Sequence, residues 1–158
     1  MRPQNAAYAL GLAVNYLMAS PAFARQPFGH WSGVLAGQIN RGHYLFAVED
    51  RKVVGFLGWS FAGKNAAEAW LAGRAVPASD DSRSGEIMLI NAWQADSDDA
   101  RRFLLHQARM IGRHCSAVYA KRHRPDGSFR PMRLAVNGFL PDHIATDALT
   151  FSFDTLKS

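Results

Sequence analysis

Apolar positions in the N-terminal part of the chain recur with a helical period, and a Ser-Pro pair divides them into two runs. Leu10, Val14 and Leu17, with Ala6 and Ala13, fall on one stripe and predict an amphipathic first helix. Pro21 has no amide hydrogen to continue that helix, and it pushes Ser20 away from helical geometry, so the break falls close to Ala19. Phe23, Arg25 and Gln26, just behind the break, are thereby held at a fixed place beside the core. Trp31, Val34, Leu35, Gln38 and Ile39 then recur at i, i+3, i+4, i+7 and i+8, which makes a second helix. Arg41-Gly42 ends it, with glycine in its usual C-terminal capping role.

The period then changes. Tyr44 to Val48 and Val53 to Phe61 read as strands around the polar turn Glu49-Asp50-Arg51-Lys52, and so as a hairpin. Gly55 and Gly58 inside the second strand predict a bulge or a close approach by another backbone. Ala66 to Ala72 suits a turn or two of helix, and Pro77 to Ser84 a loop rich in Ser and Asp. Glu86 to Trp93 is apolar almost throughout, as in a central strand buried on both faces. Asp96, Ser97, Asp98 and Asp99 open a helix, with Asp96 or Ser97 as cap and Ala100, Phe103, Leu104, Gln107 and Ile111 as its inner stripe. Two more strands follow, Ala117 to Lys121 and Met132 to Val136, around the turn Pro125-Asp126-Gly127-Ser128. Phe139 to Ser158 has apolar residues without a clear period. Helix, helix, strand, strand, strand, helix, strand, strand is an α+β order: one mixed sheet with helices packed on it. We expect one domain over residues 1–158. N-acetyltransferase-type acyltransferases use this layout, as do other folds.

Composition narrows the partners. The chain of 158 residues is 48% hydrophobic and 20% charged, a balance that argues against disorder. Its net charge of +5 favours an acidic partner: nucleic acid, an anionic membrane surface or an acidic protein. The single Cys115 excludes an intrachain disulfide and a Cys-pair zinc site, which fits a reducing compartment. Arg2, the apolar run Ala6 to Met18 and Ala22-Phe23-Ala24 imitate a secretory signal. Gly11 and Asn15 interrupt the run, however, and its helical stripe suits a core helix, so a cytoplasmic protein with no membrane span is expected.

Nine Lys or Arg lie between Arg101 and Arg133 against one acid, Asp126. Arg101, Arg102, Arg109, Arg113, Lys121, Arg122 and Arg124 form the candidate docking surface for an acidic partner, beyond what a solvated helix face accounts for. No helix-turn-helix, RNP-like or zinc-finger pattern supports nucleic acid. His30, His43, His106, His114, His123 and His143 show neither metal-ligand spacing nor a hydrolase signature, and Cys115 reads as a buried structural thiol. His30, close behind the break, is the histidine singled out. Acetyltransferases that use coenzyme A wrap its pyrophosphate in a glycine-rich turn between a strand and a helix. The matching turn here, Gln94-Ala95-Asp96-Ser97-Asp98-Asp99, has no glycine and three acids, which argues against that cofactor.

Three groups of residues resemble the toxin-activating lysine acyltransferases, the partners that mature RTX hemolysins and cyclolysins. Leu10-Gly11, Tyr16-Leu17 and Ala19-Ser20-Pro21 resemble that family's first helix and its Ser-Pro break. Gln38 to Leu45, followed by Val54 to Ser60, resembles the end of its second helix and its Tyr-Cys-Ser-Trp strand. Ser84-Gly85 with Leu89-Ile90-Asn91 resembles the strand ending in Ile-Asp-Trp. The resemblance spans roughly residues 8–138. It implies an N-acetyltransferase-like fold that moves a fatty acyl chain from acyl carrier protein to lysines of a protein client, without a bound cofactor or metal. It leaves a homodimer open.

In that family a histidine two residues after Ser-Pro is the base, or acyl acceptor, and an aspartate after the strand isoleucine assists it. Here those positions hold Phe23 and Asn91, while Ser20 is retained. Phenylalanine cannot move a proton, and asparagine cannot hold an imidazolium by charge. Two expectations follow from the resemblance. Either acyl transfer proceeds with a relocated base, His30 or His43, or the chain is a catalytically silenced homologue that binds an acyl carrier protein or a protein client.

Overall fold

The structure, a computed structural model, describes residues 5–74, 83–124 and 126–136. Most of the Pro77–Ser84 loop, all of Phe139 to Ser158, and His143 with them lie outside the described residues.

Helix α1 (Ala6–Leu17) is capped by Asn5, whose side chain accepts the Tyr8 amide at 3.1 Å. Its buried line is Ala9, Ala13 and Leu17, each 0% exposed, with Leu10, Leu12, Val14 and Tyr16 packed along the edges. The predicted stripe is thus turned by part of a helical turn, and Ala6 is exposed. Small side chains on the inner line let α1 lie close against α3, so alanines rather than the larger residues face inward. The break falls where Pro21 requires it. Ser20 is extended (φ −86°, ψ 126°), and Pro21 starts a short helix α2 (Pro21–Ala24) at the first position, where its missing amide costs no hydrogen bond. Helix α3 (Phe28–Arg41) ends on Gly42 at φ +71°, and the His43 amide returns to the Gln38 carbonyl at 2.8 Å.

Five strands form one sheet in the order β1-β2-β3-β4-β5: β1 Tyr44–Glu49, β2 Lys52–Ala62, β3 Ile87–Ala95, β4 Ala117–His123 and β5 Phe129–Ala135. The β1–β2 hairpin turns on Asp50 and Arg51, both at positive φ (47° and 64°), the left-handed pair a two-residue turn requires. Only β3 and β4 run parallel, joined by the crossover helix α5 (Asp98–Ile111) and a 3₁₀ turn, Gly112–His114. Helix α4 (Lys64–Leu71) lies between β2 and β3 in sequence. The fold is α+β, a mixed sheet flanked by helices.

The two faces of the sheet have separate cores. Phe56, Phe46 and Ala92 pack under α1, α2 and α3, and Ile87, Leu89 and Tyr119 under α4. Leu57, Trp59, Met88, Ile90 and Val118 pack on the opposite face with Ala100, Leu104 and Ala108 of α5. Phe103, predicted inside, is 41% exposed, because the buried stripe of α5 is turned away from it toward Leu105 and Ala108 on the opposite edge. Ser97 caps α5 by accepting the Ala100 amide at 3.1 Å, and Asp96 instead accepts the Tyr16 hydroxyl at 2.8 Å. Cys115 is buried, as expected. No helix among the described residues is long and apolar enough to cross a membrane.

Candidate functional site

Glycine in β2 announces a bulge, and β2 carries one beside Gly55: Ala47 pairs with Gly55 while Val48 pairs with Val53, which leaves Val54 as the extra residue. A further bulge lies on the strand opposite, in β3. Gly58 pairs with Ala92 while Trp59 pairs with Ile90, which leaves Asn91 as the extra residue in β3. The close approach at Gly58 comes from a side chain and not a backbone: a Cβ there would run into the amide of the fully buried Gln38. The bulge breaks the alternation of β3. Ala92 packs in the core under α1 and α3, and Asn91 on the same side donates from Nδ2 to Ser60 Oγ at 3.2 Å.

At this bulge β3 and β4 part. Their parallel ladder runs from Ile87–Ala117 to Ile90–Ala120 and stops, while β3 continues to Ala95 and β4 to His123. A cavity of about 180 Å³ fills the gap. Its walls are Ala22 and Phe23 of α2, Ile90, Asn91, Trp93 and Gln94 of β3, Leu105 of α5, Ala120 to His123 of β4, and Met132 and Leu134 of β5. Ile90, Leu105 and Ala120 belong to one face of the sheet and Asn91, Lys121 and His123 to the other, so the cleft opens through the sheet. Most of the wall is apolar. A second cavity of about 50 Å³ adjoins it, bounded by Phe23, Gln26, His30, Trp31, Asn91 and His123 among others.

Phe23 and Asn91, far apart in sequence, therefore border both cavities, and His30 joins them on the smaller one. Phe23 is 8% exposed, and its ring centre lies 6.5 Å from those of Trp31 and His123. The histidine facing it from β4 is one that no sequence motif points to. His123 Nδ1 lies 3.0 Å from Gln26 Nε2, and its ring centre is 6.1 Å from that of Phe129. Burial first, then electrostatic repulsion from Lys121 and His30, hold its imidazole below the ordinary pKa, so the ring is neutral at neutral pH. The signal available in the sequence is alternation: Tyr119, Lys121 and His123 share a face once β4 is extended two residues past Lys121.

Other expected residues lie elsewhere. Ser20 borders a separate cavity of about 520 Å³ on the other side of α2, with Tyr16, Arg51, Lys52 and Asp96. Burial and then the bond to Asp96 raise the Tyr16 hydroxyl's pKa. His43 stacks on Trp59 at 5.8 Å and meets Phe61 edge-on at 5.4 Å, outside both cavities at Phe23. The candidate docking residues divide. Arg101, Arg102 and Arg113 are exposed and Arg109 half-buried along α5 and its 3₁₀ turn, with Arg122 and Arg124 exposed at the end of β4. Arg101 pairs with Asp98 at 2.8 Å and Arg102 with Asp99 at 3.7 Å, which partly offsets the acids of the β3–α5 turn. Lys121 is part of the cleft wall. Its Nζ lies 4.5 Å from the Trp70 ring centre and 4.7 Å from that of Phe129, and burial lowers its pKa. Among the described residues no group of His, Cys, Asp and Glu is placed to hold a metal ion.

No protein-family model matches the chain, and no curated protein matches it significantly. Geometry and chemistry therefore carry the functional reading.

Proposed function

We propose that the cleft between β3 and β4 receives an acyl chain, and that the protein is an acyltransferase of the toxin-activating lysine acyltransferase kind. It takes a fatty acyl group from the thioester of acyl carrier protein to a lysine of a protein client. One observation carries the reading: an apolar cleft beside the bulge at Asn91 ends on Phe23 and His123, with His30 on the small cavity that adjoins it. An acyl chain suits the apolar wall and a thioester suits the polar end. The absence of glycine from the Gln94–Asp99 turn fits a donor other than free coenzyme A. The arginines of α5 suit an acidic carrier, and such a carrier puts the protein in the cytoplasm.

The step is aminolysis. The lysine nitrogen attacks the thioester carbon, forming the C–N bond, and the C–S bond breaks. The amine's surplus proton passes to His30 and from there to the departing sulfur, which leaves as the thiol. Relocation of the base to His30 is compatible with its place on the same small cavity as Phe23 and Asn91. His43, packed on Trp59, has no such place.

The test is incubation with acyl-loaded carrier and a lysine-containing client, followed by intact mass. Transfer is expected, and His30→Ala should lower its rate about 10²–10⁴-fold. One observation favours a second reading, a silenced homologue that only binds: Asn91 is tied to Ser60, and Phe23 contributes only a ring. Carrier binding without transfer, with transfer restored in Phe23→His/Asn91→Asp, decides for it.

A further inference from the structure

We infer that His123 is the group that meets the reacting acyl carbonyl, held by Gln26 so that its Nε2–H donates to the carbonyl oxygen. The inference rests on the acyl-cleft reading above and assigns a residue to it.

His123 borders both cavities, the apolar cleft and the small pocket that holds His30. Gln26 Nε2, 3.0 Å from His123 Nδ1, carries only hydrogens to offer. Nδ1 must therefore accept, and in a neutral imidazole the proton then sits on Nε2. Protonating Nδ1 would set two donors against each other across that contact. The groups around the ring oppose protonation as well: Lys121 on its own strand and His30 from α3 both disfavour a charge on His123. Phe23 of α2, Phe129 of β5 and Asn91 of β3, which also lie beside the ring, carry no charge. A neutral ring with its proton on Nε2 is a donor rather than a base.

This divides the labour between two histidines. As the amine adds to the thioester carbon, the carbonyl oxygen becomes an alkoxide, and Nε2–H is placed to stabilise it. The amine's proton goes to His30. When the C–S bond breaks, the carbonyl reforms, the sulfur takes that proton, and His123 is unchanged. Phe23, where the resemblance calls for a proton carrier, instead walls the donor from water.

Three variants and one probe test the assignment. His123→Ala should lower turnover on acyl-loaded carrier about 10²–10³-fold, the effect of deleting one oxyanion donor, with KM little changed. His123→Gln keeps an N–H near the place of Nε2 and should recover most of that loss. A glutamine variant as slow as the alanine variant identifies a base and overturns the donor role, as does an alanine variant at full rate. Gln26→Glu, which can only accept, should move the ring proton to Nδ1 and slow turnover as His123→Ala does; full activity overturns the positioning. A second readout needs no transfer. A short-chain acyl thioester, ¹³C-labelled at its carbonyl, should bind the full chain with a downfield carbonyl shift that disappears in His123→Ala. Binding with the same shift in both overturns the His123 assignment alone. No binding overturns the cleft reading and the assignment together.

Discussion

One pair of strands has two unlike halves. From Ile87–Ala117 to Ile90–Ala120, β3 and β4 are hydrogen-bonded, and all of these residues but Ala120 are buried. Tyr119 donates to Glu68 Oε1 at 2.6 Å and Arg133 reaches Glu68 Oε2 at 2.6 Å, which clasps α4 to β4 and β5 there. Past Asn91 the same strands part around an apolar cleft. A single extra residue separates the halves. A parallel ladder tolerates no slip without turning side chains to the other face, so a bulge beside it ends the pairing and frees the residues beyond for other work.

Removing bulk from each half should expose the difference most strongly. Leu89→Ala in the closed half, where Leu89 is 0% exposed, should cost about 2–5 kcal/mol in urea unfolding, because the surroundings cannot collapse. Leu105→Ala on the cleft wall should cost about 1–2 kcal/mol, since it enlarges an existing opening rather than making a sealed void. Equal losses would mean that the halves pack alike.

Filling the open half is the next test. Ala120→Leu should weaken acyl-thioester binding about tenfold or more, equivalent to ~1.4 kcal/mol, measured by titration of the labelled thioester. Unchanged binding would place the acyl chain elsewhere.

The clasp on the closed half predicts an acid sensitivity. Hydrogen bonding from Arg133, more than any other cause, lowers the Glu68 pKa from its ordinary 4.5 to about 2, against the opposing effect of burial. A carboxylate with a depressed folded pKa contributes stability that is full above about pH 4.5 and lost as pH falls toward 2. Glu68→Gln should lower stability by about 1 kcal/mol at neutral pH and flatten that part of the acid dependence, read as urea midpoints across the range. Tyr119, pushed up to about 12 by burial and then by Glu68, keeps its proton throughout. The smallest effect belongs to the exposed rim: Arg101→Gln, which loses the surface pair with Asp98, should shift stability by about 0.5 kcal/mol or less.

Elements ruled by local chemistry are legible in the sequence. Pro21 sets the helix break, Gly42 the end of α3, and Asp50-Arg51 the hairpin, because each acts on the backbone where it stands. The apolar run in β3 announces a central strand for the same reason. Rotations about an axis are less legible. The α1 stripe turns toward Ala9 and Ala13, and Phe103 turns outward, because a partner surface and not the period decides which edge of an amphipathic face is covered. Of the candidate site, Phe23, Asn91 and His30 do meet as neighbours, whereas Ser20 lies across α2 and Lys121 in the cleft wall. His123 escapes a sequence reading because a lone histidine in a strand has no local signature.

The amino-acid sequence alone thus specifies the order and type of the elements, the place of each sharp turn, and side chains at Phe23 and Asn91 that cannot carry a proton. These follow from steric and hydrogen-bonding limits that act within a few residues. Three features come only from the folded chain: the bulge on β3 at Asn91, the parting of β3 and β4, and the meeting of Gln26 with His123. Each depends on register between segments distant in the chain, which is set by packing side chains across a sheet and under helices.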